Sequence, residues 1–575
     1  MIFRFSRQSG IALRRRNRHH LLLFLFSLPL WASGNAGPFH FVEIIQQTPM
    51  NLPIYSGDSL KRYIIDVNGN GCVWFDFNND GLMDLFLTQG ATFAALQGAD
   101  RKNYSNHLFI NLGNGKFRDA TDQAGAGGPP DVWAMGAIAG DYDADGWTDL
   151  FVTYLGEDLL YRNNGGTTFR NVTLQAGLTS LSGWSTGASF GDYDGDGYLD
   201  LYVPGYVNFD LEHPPAPACP YKGMEVMCGP GGLRAAPDFL FRNRGDGTFE
   251  DVTAQALLGK EFFDSYGFGA VFVDLNDDNL LDLYVANDLG PNYLYRNNGN
   301  GTFTEVGFSS GAAYAEDGRA QASMGIAIGD YNRDGRPDIL VTNFSDDYDT
   351  LYRNEGDLLF SDVSREVGLR EVSLPFLGWA CMFADFDGDG WEDLFVANGH
   401  VYPQVATLPG GKYWQRNLLY RNLSGRTFQE AGLASGLTEE ALSRGGAVAD
   451  FDNDGDPDLF IVNMDSVPSF LENRSRRPGN WVGLAISRPF GSKVKITSPS
   501  GDQFRFPVSG GSYLSQNDPR VLVGLGKDTV VESVEVQWPG GERLTLKNLE
   551  VNRYHRIPYP GNPSEARSRA TGSRP

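Results

Sequence analysis

The chain has 575 residues, of which 41% are hydrophobic and 13% aromatic, and its formal net charge is −24. This length is sufficient for more than one packed core. The many glycines (71) suit short strands joined by tight turns better than helix bundles or long disordered stretches. The acidic balance argues against a nucleic-acid partner, because such partners require a basic surface.

Residues 1–36 have the pattern of a secretory signal peptide. Arg14–Arg18 is basic, Leu21–Leu30 is apolar, and Ala32–Ala36 supplies small residues for cleavage. The alternative is a retained membrane anchor, although the apolar run is short for a bilayer span. We therefore expect a secreted or periplasmic monomer with no stable membrane span after cleavage.

A nine-residue acidic loop occurs seven times along the chain. Each copy has a carboxylate or amide side chain at loop positions one, three and five, and an Asp at position nine. Position six is Gly in every copy except the fourth, where it is Asn279. The seven loops are Asp76–Asp84, Asp141–Asp149, Asp192–Asp200, Asp274–Asp282, Asp330–Asp338, Asp385–Asp393 and Asp450–Asp458.

These loops have the oxygen-rich pattern that calcium requires. Ca²⁺ takes six to eight oxygen ligands, and alternate side chains of a wrapped loop point inward. The first half resembles an EF-hand loop, but the loop closes at position nine and strand patterns flank it. We therefore predict up to seven Ca²⁺ ions, held by side chains at positions one, three, five and nine and by the carbonyl at position seven. The predicted ligands are Asp76, Asn78, Asp80, Leu82 and Asp84; Asp141, Asp143, Asp145, Trp147 and Asp149; Asp192, Asp194, Asp196, Tyr198 and Asp200; Asp274, Asn276, Asp278, Leu280 and Asp282; Asp330, Asn332, Asp334, Arg336 and Asp338; Asp385, Asp387, Asp389, Trp391 and Asp393; Asp450, Asp452, Asp454, Asp456 and Asp458.

The segments between the loops repeat as well. After each loop come a strand, a second strand ending in a YRN-like triplet, a Gly/Asn turn and a third strand. The seventh repeat stops at Phe470–Asn473, and Gly37–Ile44 near the chain start has the pattern of the missing strand. The sequence therefore predicts an all-β fold: a seven-bladed β-propeller over residues 37–479, closed by its own N-terminal strand.

Two stretches resemble known families. The repeats, through their D-x-[DN]-x-D-G-x-x-D loops, resemble the FG-GAP/VCBS repeats of the integrin α-subunit propeller. Residues 480–557 resemble an ASPIC/UnbV domain, and by pattern alone they form a small β-sandwich; residues 558–575 have the composition of a disordered tail. The motifs that carry this second resemblance are Asn480–Leu484, Gly510–Arg520, Val523–Gly526 and Val536–Glu542. This order resembles the cartilage acidic protein family and its bacterial relatives, which implies extracellular calcium binding and interaction but no agreed catalytic residues.

Three repeats carry long insertions between the strand that follows the acidic loop and the strand that ends in the triplet. They lie within Asp84–Asn111, Asp200–Asn243 and Asp393–Asn422. Because these links are at the other end of the strands from the acidic loops, the insertions project from the opposite face. Long loops on a rigid scaffold commonly carry binding sites, so we predict that this face binds an extracellular protein or a glycan.

The four cysteines fall into two groups. Cys219 and Cys228 lie in one insertion, and in an exported protein their spacing favours a disulfide. A metal site is the weaker alternative, since His213 is the only nearby imidazole. Cys72 and Cys381 occupy equivalent repeat positions and are predicted to be buried free thiols.

Polar and aromatic residues collect at the strand ends on the insertion side. They are Asn287, Asp288, Asn343, Asn398, His400, Asn463 and Asp465, with Trp133, Trp184, Tyr266, Trp379 and Arg444. They form turns and cover the channel mouth in one interpretation. In the other, His400 and Tyr402, together with Trp379, Arg444 and Asp465, line a ligand pocket.

The sequence contains no H-E-x-x-H or P-loop motif. A non-enzymatic calcium-binding module is therefore the first functional hypothesis. The alternative is an enzyme acting on polysaccharide or a small metabolite, with its site at the channel mouth near His400, Arg444 and Asp465.

Overall fold

Short strands with buried aromatic and branched side chains make up most of the chain. The computed structural model describes residues 37–96, 104–129, 132–215, 218–256, 265–475 and 479–560. The predicted signal peptide, and all but the first three residues of the predicted disordered tail, lie outside these ranges. The described residues belong to one compact unit.

Within the described ranges, seven antiparallel sheets contain four strands in the same order, and we call each sheet a blade. The four strands of blades 1 to 4 are Cys72–Phe75, Asp84–Leu87, His107–Asn111 and Phe117–Asp119; Trp133–Gly140, Asp149–Glu157, Leu159–Asn163 and Phe169–Asn171; Ser189–Gly191, Asp200–Val203, Phe239–Asn243 and Phe249–Asp251; Tyr266–Val273, Asp282–Asp288, Tyr293–Asn297 and Phe303–Glu305. Those of blades 5 to 7 are Ile326–Gly329, Asp338–Val341, Thr350–Gly356 and Leu359–Asp362; Gly378–Ala384, Asp393–Asn398, Leu418–Asn422 and Phe428–Glu430; Ser443–Ala449, Asp458–Asn463, Ser469–Asn473 and Phe41–Glu43. A further strand, Ser182–Trp184, pairs with the second strand of blade 2.

The blades form a closed ring. The first strand of each blade packs against the first strand of the next, and blade 7 packs against blade 1. Closure depends on the N-terminal strand, in which Phe41 pairs with Asn473 and Glu43 with Leu471. The predicted all-β propeller and its N-terminal closing strand are confirmed.

A second set of strands forms the C-terminal domain. Its strands are Asn480–Ile486, Lys493–Ser498, Gly501–Arg505, Val521–Gly526, Val531–Gln537, Arg543–Leu549 and Tyr554–Ile557. They make one three-stranded and one four-stranded sheet. Val482, Ile496 and Val534 are buried in a shared core between these sheets, as a small β-sandwich requires.

Helices are short and lie in the connections. The α-helices are Phe93–Leu96, Thr121–Ala124, Thr253–Ala256, Gly307–Ser310 and Arg370–Ser373. The 3₁₀ helices are Ile45–Gln47, Ile64–Val67, Pro403–Thr407, Leu433–Ser435 and Pro539–Gly541. None of the helices in the described ranges has the length and apolar character needed to cross a membrane. Two small strand pairs complete the connections: Ala218–Tyr221 with Met224–Met227, and Gln415–Arg416 with Glu440–Ala441.

A segment of the C-terminal domain fills the centre of the ring. We call Ser509–Gln516 the plug. Its Ser512 forms a bridge with Ile326 of blade 5, and Gln516 forms a bridge with Val73 of blade 1. The Gln516 side chain accepts the Ala139 N–H and donates to the Ala139 carbonyl in blade 2. The sequence predicts a C-terminal domain that follows the propeller as a separate unit, so this insertion into the ring was not predicted.

Candidate functional site: metal loops and a filled channel

The acidic loops share one backbone conformation, seen clearly in blade 3. The carboxylate of Asp192 accepts the N–H groups of Asp196 (3.0 Å) and Gly197 (2.8 Å). Gly197 has a φ of 93°, a left-handed conformation that favours glycine. This wrapping brings ligand oxygens of Asp192, Asp194 and Asp200 within 4.8 Å of one another.

The same arrangement recurs around the ring. Equivalent three-carboxylate clusters form in the loops with Asp at position three, namely Asp141, Asp143 and Asp149; Asp192, Asp194 and Asp200; Asp385, Asp387 and Asp393; Asp450, Asp452 and Asp458. The other three loops carry Asn at that position. In the fourth loop Asn279 adopts a left-handed φ of 68° and donates its N–H to Asp274 at 2.8 Å, as glycine does elsewhere.

The electrostatics of the loops fit a bound cation. One carboxylate oxygen of each of Asp143, Asp194, Asp338 and Asp450 is buried without a hydrogen-bond partner. Burial, with a smaller contribution from neighbouring carboxylates, raises the pKa of Asp149 to about 9. The second oxygens of Asp143 and Asp194 pair with Arg162 and Arg242, both at 2.6 Å. Clustered carboxylates with a buried, unbonded oxygen are still costly unless a cation neutralises them. Oxygen donors alone, several of them charged, are the ligand set that Ca²⁺ prefers.

Each position-nine Asp also joins its loop to the rest of its blade. In blade 3, Asp200 accepts the N–H groups of Tyr193 (3.0 Å) and of the triplet residue Asn243 (2.8 Å). Asn243 donates in turn to the Leu199 carbonyl of its own loop. The end of the third strand is therefore bonded directly to the start of the second.

The triplet Asn residues also link neighbouring blades, a role that the sequence analysis missed. Each donates a side-chain N–H to the position-two carbonyl of the preceding blade's loop, and blade 1 donates to blade 7. The pairs are Asn111 to Phe451 (2.8 Å), Asn163 to Phe77 (2.9 Å), Asn243 to Tyr142 (2.8 Å), Asn297 to Tyr193 (2.8 Å), Asn354 to Leu275 (2.9 Å), Asn422 to Tyr331 (2.9 Å) and Asn473 to Phe386 (3.0 Å). The recurrence of Asn at this position was the available signal.

The C-terminal domain covers the face that carries the loops. Arg520 donates to the Asp450 carbonyl at 2.7 Å, and the Tyr554 hydroxyl donates to the Asp450 carboxylate at 2.9 Å. Lys493 pairs with Asp277 of the fourth loop at 2.9 Å, and Arg505 pairs with Glu392 of the sixth at 3.1 Å. The loops therefore lie beneath a second domain.

Two of the predicted pocket residues, Arg444 and Trp379, are buried within the ring. The Arg444 guanidinium lies over the Trp379 ring at 4.1 Å and donates to the carbonyls of Val67 (2.6 Å) and Ser443 (2.8 Å). Trp379 donates to the Gly399 carbonyl at 2.9 Å and packs against Tyr513 of the plug. Both side chains therefore bond to the protein backbone. This agrees with the interpretation in which the strand-end residues form turns and cover the channel mouth.

His400 and Tyr402 are also buried. Tyr221, from the disulfide hairpin of blade 3, packs on both rings, with centroids 6.0 and 5.1 Å away. The His400 imidazole accepts the Tyr402 N–H at 3.0 Å, and burial lowers its pKa to about 3. Asp465, the fifth predicted residue, is partly exposed and pairs with the buried Lys61 at 2.5 Å. Ligand binding by these residues stays a prediction.

The other strand-end residues include three Asn side chains that bond to nearby carbonyls. Asn287 donates to Pro291 (2.8 Å), Asn343 to Tyr348 (2.8 Å) and Asn398 to Val396 (3.1 Å). Trp133 and Trp184 are buried in the same core cluster as Trp379. Tyr266 donates its hydroxyl to the Leu233 carbonyl of the blade 3 insertion.

The cysteine predictions are confirmed. Cys219 and Cys228 form a disulfide that ties together the hairpin Ala218–Tyr221 and Met224–Met227. Cys72 and Cys381 are free and buried. The hairpin thus lies over the predicted pocket, where it covers His400.

Comparison with known proteins agrees with this architecture. The FG-GAP-like repeat family matches residues 76–152, 141–203, 274–341 and 330–396, and the ASPIC and UnbV family matches residues 487–564. Cartilage acidic protein 1 of Mus musculus is 27% identical over 455 residues, which is 74% of this chain and 65% of that protein. The Homo sapiens protein is also 27% identical, over 74% of this chain and 63% of its own length. This chain therefore matches less than two thirds of those relatives' length.

Solved structures resemble the chain only distantly. A structure described as YCF48 bound to D1 peptide has a TM-score of 0.39 and 8% identity, covering 76% of this chain and 95% of its own. An Agrocybe aegerita lectin, described for its recognition of non-reducing terminal N-acetylglucosamine, has a TM-score of 0.34 and 18% identity over 69% of this chain and 86% of its own. These scores carry no argument about function. The repeats, the C-terminal domain and the sequence relatives together identify the chain as an FG-GAP-repeat protein with a C-terminal ASPIC and UnbV domain, homologous to cartilage acidic protein 1.

Proposed function

We propose that this protein is an exported, calcium-loaded binding module. Its seven loops hold Ca²⁺, and the face that carries the insertions, here called the insertion face, binds an extracellular protein or a glycan. The observation that carries the proposal is that the C-terminal domain packs over the face with the acidic loops. The insertion face is therefore the side of the ring that a large partner can reach.

Bound calcium would stabilise the contacts within and between the blades of the propeller. When bound, it supplies positive charge to the clustered carboxylates of each loop. Position nine of each loop begins the second strand, and its Asp bonds the triplet Asn that reaches the neighbouring blade. A neutralised loop therefore supports the contacts within a blade and those between blades.

The insertion face offers exposed contact residues. Trp414, in the blade 6 insertion, is 54% exposed, and its ring lies 5.0 Å from that of the buried Tyr413. Leu211, in the blade 3 insertion, is 36% exposed. An exposed Trp on a rigid scaffold contributes large, rigid apolar area to a protein or sugar partner.

The alternative, an enzyme at the channel mouth, gains no support from this geometry. His400 and Arg444 are 3% and 0% exposed, and both are hydrogen-bonded to the protein itself. A general acid or base must reach its substrate within hydrogen-bond distance. The binding module is therefore the function that the residues favour.

The calcium proposal is tested by counting bound ions. We expect the chain lacking residues 1–36 to bind up to seven Ca²⁺ in a direct titration, and Asp194→Ala to bind one fewer, because it removes a central ligand. Asp246→Ala is the matched control, since Asp246 is an exposed turn residue in the same blade and caps only Thr248. An unchanged count in Asp194→Ala would contradict the assignment of that loop.

The binding proposal is tested with Trp414. The purified protein, in excess calcium, is applied to a glycan array and to immobilised extracellular proteins. We expect Trp414→Ala to weaken binding at least tenfold, as loss of a central aromatic contact does. Leu423→Ala is the control, because Leu423 is exposed in the same blade but lies in a turn on the loop face. Equal binding by all three proteins would rule out this part of the insertion face.

A further inference from the structure

A cavity lies between the first three loops and the C-terminal domain. Its volume is about 430 Å³, within the range of about 300–1,000 Å³ typical of small-molecule sites. One wall contains Asp76, Asp141 and Asp192, and the other contains Arg488 and Arg556. Because it lies on the loop face, this cavity is separate from the insertion face and from the partner proposed there.

Within the described part of the chain, some charged side chains of the cavity have hydrogen-bond or ion-pair partners, and others do not. Each of the three acids accepts the N–H of position six in its own loop, from Gly81 (2.8 Å), Gly146 (2.9 Å) and Gly197 (2.8 Å). A third arginine of the lining, Arg520, is held by Asp518 at 2.6 Å.

Arg488 and Arg556 differ from Arg520, because within the described ranges neither has a carboxylate oxygen within 4.0 Å. Arg488 is half-buried and Arg556 is exposed, so both guanidinium groups can donate N–H bonds to an anion in the cavity. The cavity therefore presents unused cationic donors.

The backbone holds Arg488 in a costly conformation. Its φ is 56°, in the left-handed region that non-glycine residues seldom occupy, and Pro489 follows it. A residue before proline favours extended backbone, so this geometry is maintained by its surroundings. Strain of this kind concentrates at functional sites.

The Arg488 side chain is fixed at the cavity wall. Its guanidinium lies 4.6 Å from the centre of the Tyr559 ring. One terminal nitrogen lies 3.0 Å from the point where a Cβ on Gly197 would stand, so the group packs directly on the third loop. The wall thus combines a cation with an aromatic surface.

We propose that this cavity binds a small ring compound bearing a carboxylate. The planar guanidinium of Arg488 matches a carboxylate through paired N–H donors, and Arg556 adds a second positive charge. Tyr559 packs against the Arg488 guanidinium and thereby positions it toward the cavity. The dimensions suit a molecule of one or two rings, and the site requires both domains.

The test is calorimetric titration of the protein lacking residues 1–36, at fixed excess free calcium. The probes are D-glucuronate and benzoate, and D-glucose is the neutral counterpart of the first. We expect saturable binding of at least one carboxylate and none of glucose. Failure of both carboxylates to bind at 10 mM, on the order of the weakest affinities of interest, or equal binding of glucose, would overturn the proposal.

Two variants locate the site. Arg488→Gln and Arg556→Gln should each weaken carboxylate binding at least tenfold, whereas Arg170→Gln, an exposed arginine outside the cavity, should not. Arg556 is exposed, so its replacement tests the site even where Arg488→Gln perturbs folding. Calcium counts are taken on every variant, which separates loss of this site from loss of the metal loops. Carboxylate binding that both variants retain would place it elsewhere.

Discussion

The triplet asparagines show how one side chain can join two blades. Asn163 donates to the Phe77 and Thr148 carbonyls and accepts the Gly166 N–H. Its presence in every repeat was visible in the sequence. Its role could not be predicted from the sequence, because the Phe77 carbonyl belongs to the neighbouring blade and comes close only when the blades pack into a ring. The loop ligands were predictable since their spacing is local.

Asn163→Ala should lower the free energy of unfolding by about 2–4 kcal/mol, because it leaves buried backbone groups without partners. Urea unfolding in excess calcium measures the change. Asn164→Ala is the control: Asn164 is exposed and its side chain bonds only Thr168, so we expect less than about 0.5 kcal/mol. A similar small effect at Asn163 would refute its structural role.

His400 makes stability depend on pH. Burial first, and then the charges of Arg444 and Lys222, lower its pKa to about 3, while Asp346 acts in the opposite direction. The folded protein therefore holds a neutral imidazole that the unfolded chain protonates below a pH of about 6.5. This difference leaves the free energy of unfolding unchanged above a pH of about 6.5 and lowers it progressively as the pH falls toward 3.

His400→Gln removes this titration but keeps an acceptor for Tyr402. Between pH 7 and pH 4.5 the wild type should lose about 2–3 kcal/mol more stability than the variant. Urea unfolding at matched calcium measures both, and their difference cancels the carboxylate contributions that they share. Parallel pH profiles would show that His400 titrates normally.

The disulfide hairpin explains why the predicted pocket is closed. Its two cysteines are close in sequence, so the bond was predictable. That Tyr221 packs on His400 was not, since it depends on how a long insertion crosses from blade 3 to blade 6. The N-terminal strand was predictable for the opposite reason: the seventh repeat lacked a strand and only one segment could supply it.

Replacing Cys219 and Cys228 by Ser should loosen this hairpin. Closing a short loop contributes about 2–3 kcal/mol, so cleavage within residues 218–228 should accelerate roughly 30- to 150-fold where it requires local opening. Limited proteolysis with mass analysis measures the rate. A reductant should accelerate cleavage of the wild type and leave the double variant unchanged. Equal rates in the two oxidised proteins would show that packing alone holds the hairpin.

In the whole molecule, the plug links the C-terminal domain to the propeller through contacts with several blades. Ser515 accepts the N–H groups of Cys72 and Gly446, which belong to blades 1 and 7. Tyr513 packs against Phe268 of blade 4 and Trp379 of blade 6. The segment has no strand periodicity, and its partners are spread over the ring, so the sequence offered no local signal for it.

Gln516→Ala should destabilise both domains together. It removes the partners of the Ala139 N–H and carbonyl inside the ring, at a cost of about 3–5 kcal/mol. Calorimetry should show one transition in the wild type, shifted to lower temperature in the variant. Lys527→Ala, an exposed change in the C-terminal domain, should leave the transition in place. Two separate transitions in the wild type would contradict this coupling.

The closing strand also decides when the molecule can fold. His40 and Ser475, which meet beside that strand, are 435 residues apart in sequence. A ribosome must therefore release nearly the whole propeller before its ring can shut, and such long-range pairing is slow to form. Until then blade 7 has an open edge able to pair with other chains. The N-terminal strand is thus synthesised before the blades but is the last strand to pair. A truncation of a few residues there would leave all seven loops on an open ring that is prone to aggregate.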